Sequence, residues 1–173
     1  MDADFASGWG TEEGTNPDSI KSRTGFIVEV MGCPVIWCSK LQENISAYTM
    51  ELEYTALSMS LCAAIPLLYI SSAINEGLQL FTPKRMIFRT TIHEDNMGAL
   101  KLAKLEPGRY TPRSNFYAIK LHWFRSWLLP NKDENIDKIN IVHCDSSTQK
   151  ADYMTKFLVP VKFKACRKLS MGW

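Results

Sequence analysis

Apolar and polar positions change period several times along this chain, and the changes mark its elements. β-rich runs at Gly25–Met31 and Pro34–Cys38 flank a short turn containing Gly32, which predicts a hairpin. From Ala47 the spacing lengthens. Met50, Tyr54, Leu57, Leu61, Ala64 and Leu68 recur at gaps of four and three, the stripe of a long amphipathic helix. Pro66 lacks an amide hydrogen and its ring crowds the preceding turn, so a kink or a split is expected there. A strand is expected over 86–94, a short helix over about 98–103 and an aromatic-rich helix over 118–128. A β-branched strand follows over 138–144. Asp145, Ser146 and Ser147 then offer N-caps to a helix carrying Asp152. Residues 6–24 show no period and read as a loop. This interleaved order predicts an α/β fold, a mixed sheet flanked by helices.

Composition narrows the picture only a little. At 173 residues with 46% hydrophobic content, a single domain with a real core is expected over 1–173. A net charge of +2 permits a nucleic-acid partner without requiring one. Five cysteines, with no C-x-x-C, favour free thiols in a reducing, intracellular setting. Zinc held by Cys33, Cys38, His143 and Cys144 is disfavoured, because adjacent His and Cys are awkward ligands for one tetrahedral ion. The acidic start, Met1-Asp2-Ala3-Asp4, is unlike a signal peptide. The apolar run Leu61–Ile74 carries Ser71 and Ser72 and is shorter than the ~20 residues a bilayer requires. It is expected to be a buried helix, with no membrane as partner.

Four carboxylates sit where an acid is hard to explain structurally. Asp2 opens the chain, Glu53 borders the apolar stripe between Met50 and Leu57, Asp95 closes a strand-like run, and Asp152 follows another. Acids at strand ends and on a core-facing helix edge suggest one divalent-metal site assembled by the fold. Neighbouring acids read differently. Asp4 is expected to face solvent, Glu51 to support the helix N-terminus, Glu94 to face away from Asp95 by strand alternation, and Asp145 to cap a helix. His93 reads as a core histidine.

Six segments carry a resemblance to a known family. Asp2-Ala3-Asp4-Phe5-Ala6 resembles D-A-D-W-A, and Ser22-Arg23-Thr24-Gly25-Phe26 resembles S-T-S-G-Y. Pro34-Val35-Ile36-Trp37-Cys38-Ser39-Lys40-Leu41-Gln42 is similar to P-I-S-W-x-S-K-x-Q, and Glu51-Leu52-Glu53-Tyr54-Thr55-Ala56-Leu57 to E-A-E-Y-I-A-L. Glu94-Asp95-Asn96-Met97-Gly98-Ala99-Leu100 is similar to C-D-N-Q-x-A-I, and Gln149-Lys150-Ala151-Asp152-Tyr153-Met154-Thr155-Lys156 to Q-x-A-D-I-x-T-K. In this order they resemble the ribonuclease H domain of a copia-type retrotransposon Pol polyprotein.

The resemblance implies a five-stranded mixed sheet and a metal-dependent endonuclease that hydrolyses the RNA strand of RNA–DNA hybrids. It implies two Mg2+ or Mn2+ ions, with Asp2 bridging both, Asp152 on the nucleophile side, and Glu53 and Asp95 on the leaving-group side. Glu53 is also expected to sense the 2′-hydroxyl. The implied partners are an RNA–DNA hybrid and the reverse transcriptase domain of the same polyprotein, with 157–173 as a polyprotein tail. The family has several more strand residues before the first matched acid, so the resemblance implies a piece of a longer chain.

One departure bears on substrate. Where the family has K-H-I-D, this chain has Asn115-Phe116-Tyr117-Ala118. The surrounding stretch 107–132 contains no acid, and Arg113, Lys120, His122 and Arg125 in it are candidate nucleic-acid contacts among aromatics. Aromatics Trp123, Phe124 and Trp127 are expected to be core instead. The lost run favours a rival reading, a catalytically inactive or domesticated remnant that binds nucleic acid or supports a reverse transcriptase. A nuclease or integrase acting on DNA is a third.

Overall fold

The computed structural model describes residues 1–6, 16–78, 89–105, 109, 123–128 and 138–172, with only the backbone described for Pro17, Arg125, Ser126 and Lys138. Strand β1 (Asp2–Asp4) pairs antiparallel with β2 (Arg23–Val30), which forms a hairpin with β3 (Cys33–Leu41). Met31 and Gly32 turn the hairpin with φ of 52° and 79°. Two positive φ values in a two-residue loop match the right-handed twist of the strands. Along β3, Pro34, Ile36 and Cys38 are half-buried while Val35 and Trp37 face solvent, so one face of this sheet is wet.

Helix α1 (Thr49–Leu78) follows, then β4 (Arg89–Glu94), α2 (Met97–Ala103), the single turn α3 (Arg125–Leu128), β5 (Lys138–His143), α4 (Asp152–Thr155) and α5 (Pro160–Met171). Strands β4 and β5 are parallel in register from Arg89↔Lys138 to Glu94↔His143. The fold is therefore mixed α/β. The expected five-stranded sheet differs from what forms: among the described residues the strands make one sheet of three and one of two. The reason is the brevity of β1, which covers β2 only from Arg23 to Gly25. Beyond it, the Met1 ammonium donates to the His93 carbonyl at 3.1 Å, across the gap between the sheets.

The core lies where the first half of α1 meets β1, β2, β4, α2 and β5. Leu52, Tyr54, Leu57 and Leu61 are fully buried with Phe26, Ile92, Leu100, Ile139 and Ile141. Phe124 joins them, its ring 5.3 Å from that of Tyr54. Trp127 is half-buried, whereas Trp123 is more exposed and donates from its indole nitrogen to the Ser58 hydroxyl at 3.0 Å.

Two expectations for α1 are corrected. Pro66 neither splits nor ends it, for the helix runs through to Leu78. Pro66 and Cys62, whose carbonyl loses its helical donor, are both on the exposed side of the helix. Nor is the whole run Leu61–Ile74 buried, since Tyr69, Ile70 and Ile74 are exposed. By length and composition α1 is long and apolar enough to cross a membrane, while its first half forms the core.

Residues 17–20 form a short 3-10 turn within the expected loop, and β2 starts at Arg23. The expected tail is largely α5, which begins on Pro160 and ends at Gly172 with φ 80°. His93 is exposed on β4, not a core histidine.

Gly25 governs how closely α4 approaches the sheet. A Cβ there would lie 2.6 Å from Thr155 Cγ2 and 2.7 Å from Met154 Cβ. Gly25→Ala is expected to destabilise the protein by about 1–3 kcal/mol, the usual cost of overpacking. Urea unfolding measures this, and an unchanged midpoint would show that α4 does not press on β2 in solution.

Candidate metal centre

Three elements deliver three carboxylates to one point. Oxygens of Asp2 on β1, Glu53 on α1 and Asp95 just past β4 all lie within 4.8 Å of one another. Asp2 and Glu53 are 1% and 7% exposed, and Asp95 is half-buried. Each is held by its local fold. Asp2 stands opposite Gly25, and the close approach that Gly25 allows lets the Thr155 hydroxyl donate to Asp2 Oδ2. The turn bearing Asp95 is fixed from both sides. Glu94 Oε1 accepts from the Asn96 amide at 2.9 Å, and Asn96 Oδ1 caps α2 through the amides of Gly98 and Ala99 at 2.8 and 3.1 Å. Ser146, in the loop after β5, donates to Asp95 Oδ2 at 2.9 Å.

Asp152 lies beside this cluster but has other partners. Lys156 Nζ lies 2.7 Å from Asp152 Oδ1 and 3.4 Å from Asp2 Oδ2, and so bridges the two acids. Lys162, from α5, lies 2.5 Å from Asp152 Oδ2. The four sequence candidates thus divide into a convergent trio and a neighbour paired with lysines.

The electrostatics follow from burial. The Glu53 carboxyl is pushed up to about 9, first by burial and then by the negative charges of Glu94, Asp2 and Asp95. Its Oε2 is buried and has no hydrogen-bond partner among the described residues. Burial also raises Asp2 above the usual carboxylate range, against the opposing Thr155 hydroxyl and Lys156 charge. Burial alone would raise Asp152 too, but hydrogen bonds from Lys156 and Lys162 hold it below its ordinary value. Lys156 is correspondingly held in its charged form, for Asp152 and Asp2 outweigh its own burial.

Glu94 is the functional neighbour that sequence reasoning misplaced. It is fully buried, not turned outward, and its carboxyl is pushed up to about 7, chiefly by burial. The strand ends at Glu94, so alternation does not extend to Asp95; Glu94 instead shares the inward phase of Ile92. That parity was readable. Ser146 gave no such signal, because its partner lies 51 residues away. Asp145 does not cap the next helix: α4 starts after Ala151 with no side-chain cap. Glu51 accepts from the Ala47 amide at 3.1 Å, supporting the start of α1. Arg113, Lys120 and His122 lie outside the described residues, and Arg125 is described only through its backbone in α3.

The donor set suits a hard divalent cation. Such ions prefer oxygen ligands, and three clustered carboxylates, one with a buried oxygen unpartnered among the described residues, would supply anionic donors for one ion. Between Asp2 and Asp152 the corresponding place is taken by the Lys156 ammonium.

The chain's relatives are Pol polyproteins of plant retrotransposons. It is 26% identical over 159 residues, 88% of its length, to the retrovirus-related Pol polyprotein from transposon TNT 1-94 of Nicotiana tabacum. It is 27% identical over 164 residues, 94% of its length, to that from transposon RE2 of Arabidopsis thaliana. The chain spans about a tenth of the length of each. No family model matches it, and no solved structure does so significantly.

The raised acids fix the sign of a pH effect. Glu53 and Glu94 hold protons more tightly folded than unfolded, so their contribution is complete below about pH 4.5. It is lost as pH rises through about 7 for Glu94 and about 9 for Glu53. In chelator, the urea midpoint should therefore fall between about pH 4.5 and 9, and Glu53→Gln should flatten that fall. A flat wild-type profile would contradict the clustering.

Proposed function

We propose that this chain is a ribonuclease H-type endonuclease domain of a retrotransposon Pol polyprotein, cleaving the RNA strand of RNA–DNA hybrids. The observation that carries the reading is the trio Asp2, Glu53 and Asp95, two of them buried and one half-buried, with oxygens within 4.8 Å of one another. Similarity to Pol polyproteins over most of the chain supports it. A divalent cation bound there would supply Lewis-acid stabilisation of the charge that develops on phosphoryl oxygens.

The protein's own groups do the positioning. Asp2, Glu53 and Asp95 would hold the cation, while Thr155 orients Asp2 and Ser146 orients Asp95. Glu94 fixes the turn from which Asp95 projects. The family's second ion would require Asp152 to exchange Lys156 and Lys162 for metal. In this reading the partners are a hybrid duplex and the reverse transcriptase domain of the same polyprotein, inside the cell and off the membrane. Arg113, Lys120, His122 and Arg125 contact phosphates, and the sheets of three and two strands correspond to the two parts of the family's five-stranded sheet.

The lysine pairing of Asp152 specifically favours a second reading, an inactive hybrid-binding remnant. A labelled RNA–DNA hybrid separates the two. Wild-type protein with Mg2+ or Mn2+ should cut the RNA strand only. Asp95→Asn, which keeps the shape but removes the anionic ligand, should abolish cutting, while Asp18→Asn on the exposed 3-10 turn should not. Hybrid binding without cleavage would establish the remnant, and cleavage of duplex DNA would move the chain to the third class.

A further inference from the structure

Glu94 is a buried carboxylate that the trio leaves unused. It ends β4 immediately before Asp95 and is fully buried. The pattern that this stretch resembles, C-D-N, has cysteine where this chain has Glu94, ahead of Asp95 and Asn96. A buried thiol behaves as a small apolar group, whereas a buried acid needs hydrogen bonds and an opposite charge. Glu94 therefore calls for a partner that the cysteine of the pattern does not.

Its two oxygens differ in what they meet. Oε1 accepts from the Asn96 amide at 2.9 Å and so holds the turn. Oε2 is buried and has no hydrogen-bond partner among the described residues. Holding the turn takes one acceptor oxygen and no charge, since a neutral side-chain amide would accept the same bond. The turn thus explains neither the second oxygen nor the anion. Glu53 Oε2 is in the same condition, and among the charges acting on Glu53 that of Glu94 is the largest. Two buried acids, one from α1 and one from β4, are therefore neighbours with an unpartnered oxygen each, beside Asp2 and Asp95. Among the described residues no lysine or arginine pairs with either, for Lys156 serves Asp2 and Asp152.

Ligand charge count sets how tightly an oxygen site holds a divalent ion. An ion shared with substrate phosphates is usually held by only one or two protein carboxylates. A larger set suits an ion that the protein holds by itself. We propose that Glu94 is a fourth carboxylate of the cation site, and that with it the protein holds one divalent ion in the absence of nucleic acid. The proposal rests on the cation reading of Asp2, Glu53 and Asp95, and adds to it an acid that the resembled pattern lacks.

Manganese titration of the whole chain without nucleic acid, with the free ion followed by electron paramagnetic resonance, tests it. The wild-type protein should bind saturably. Glu94→Gln keeps an oxygen for the Asn96 amide and removes the charge, and it should weaken binding by about 10–100-fold. Its urea midpoint in chelator should be no lower than that of wild type, because the turn keeps its bond. Glu94→Cys removes the same charge and restores the resembled pattern. It should weaken binding to a similar extent, and it serves where Glu94→Gln does not fold. Asp18→Asn, on the exposed 3-10 turn, should bind as wild type does. Wild-type affinity in a folded Glu94 variant, or equal weakening in Asp18→Asn, would overturn the proposal and leave the reading of the trio standing. Absence of saturable binding by the wild-type protein would overturn both.

Discussion

Burying like charges together is the constraint from which most of this structure's local detail follows. Asp2, Glu53, Glu94 and Asp152 are withdrawn from water, and Asp95 stands half-buried beside them. Each such carboxylate loses hydration worth several kcal/mol and gains repulsion from its neighbours. The protein answers in three ways. It makes Glu53 and Glu94 hold protons more tightly, it brings hydroxyl and amide donors to Asp2, Asp95 and Glu94, and it sets Lys156 against Asp2 and Asp152. A divalent cation would be the fourth answer, and the strongest.

The rest of the fold serves this convergence. Gly25 lets α4 press onto β2, which carries Thr155 to Asp2 and Lys156 between the acids. Strand β4 ends where the Glu94 and Asn96 side chains both turn back to the main chain, leaving Asp95 to project from the turn. Helix α5 folds over Asp152 through Lys162, and packs the Phe163 ring edge-on against Tyr153. The segment taken from sequence as a polyprotein tail therefore reaches the site. Whether Asp152 is a ligand or a lysine partner turns on that contact.

Much of this was legible in the sequence, for reasons that can be named. The hairpin at Met31-Gly32, the stripe from Met50 to Leu61 and the β-branched run of β5 are local patterns, and they formed as patterned. Glu53 could be placed against the core from its spacing to Met50 and Leu57. What failed was either non-local or overruled by context. Pro66 sits on the exposed side of a helix whose buried stripe holds it together, so the helix was not split there. Glu94 was misplaced because one residue of strand was assumed too many. The pairings of Ser146 with Asp95 and Lys162 with Asp152 depend on how loops return in space, which no spacing encodes. The break between the two sheets depends on the length of one three-residue strand.

The central claim is that the trio exists to hold a hard cation. Binding must then displace a proton from Glu53, whose carboxyl burial pushes up to about 9 and which must ionise to act as a ligand. Manganese titration followed by electron paramagnetic resonance, with proton release read in weakly buffered solution near about pH 7, tests this directly. The account predicts saturable binding accompanied by release of at least about one proton per ion. Absence of saturable binding, or binding that releases no protons, would contradict it.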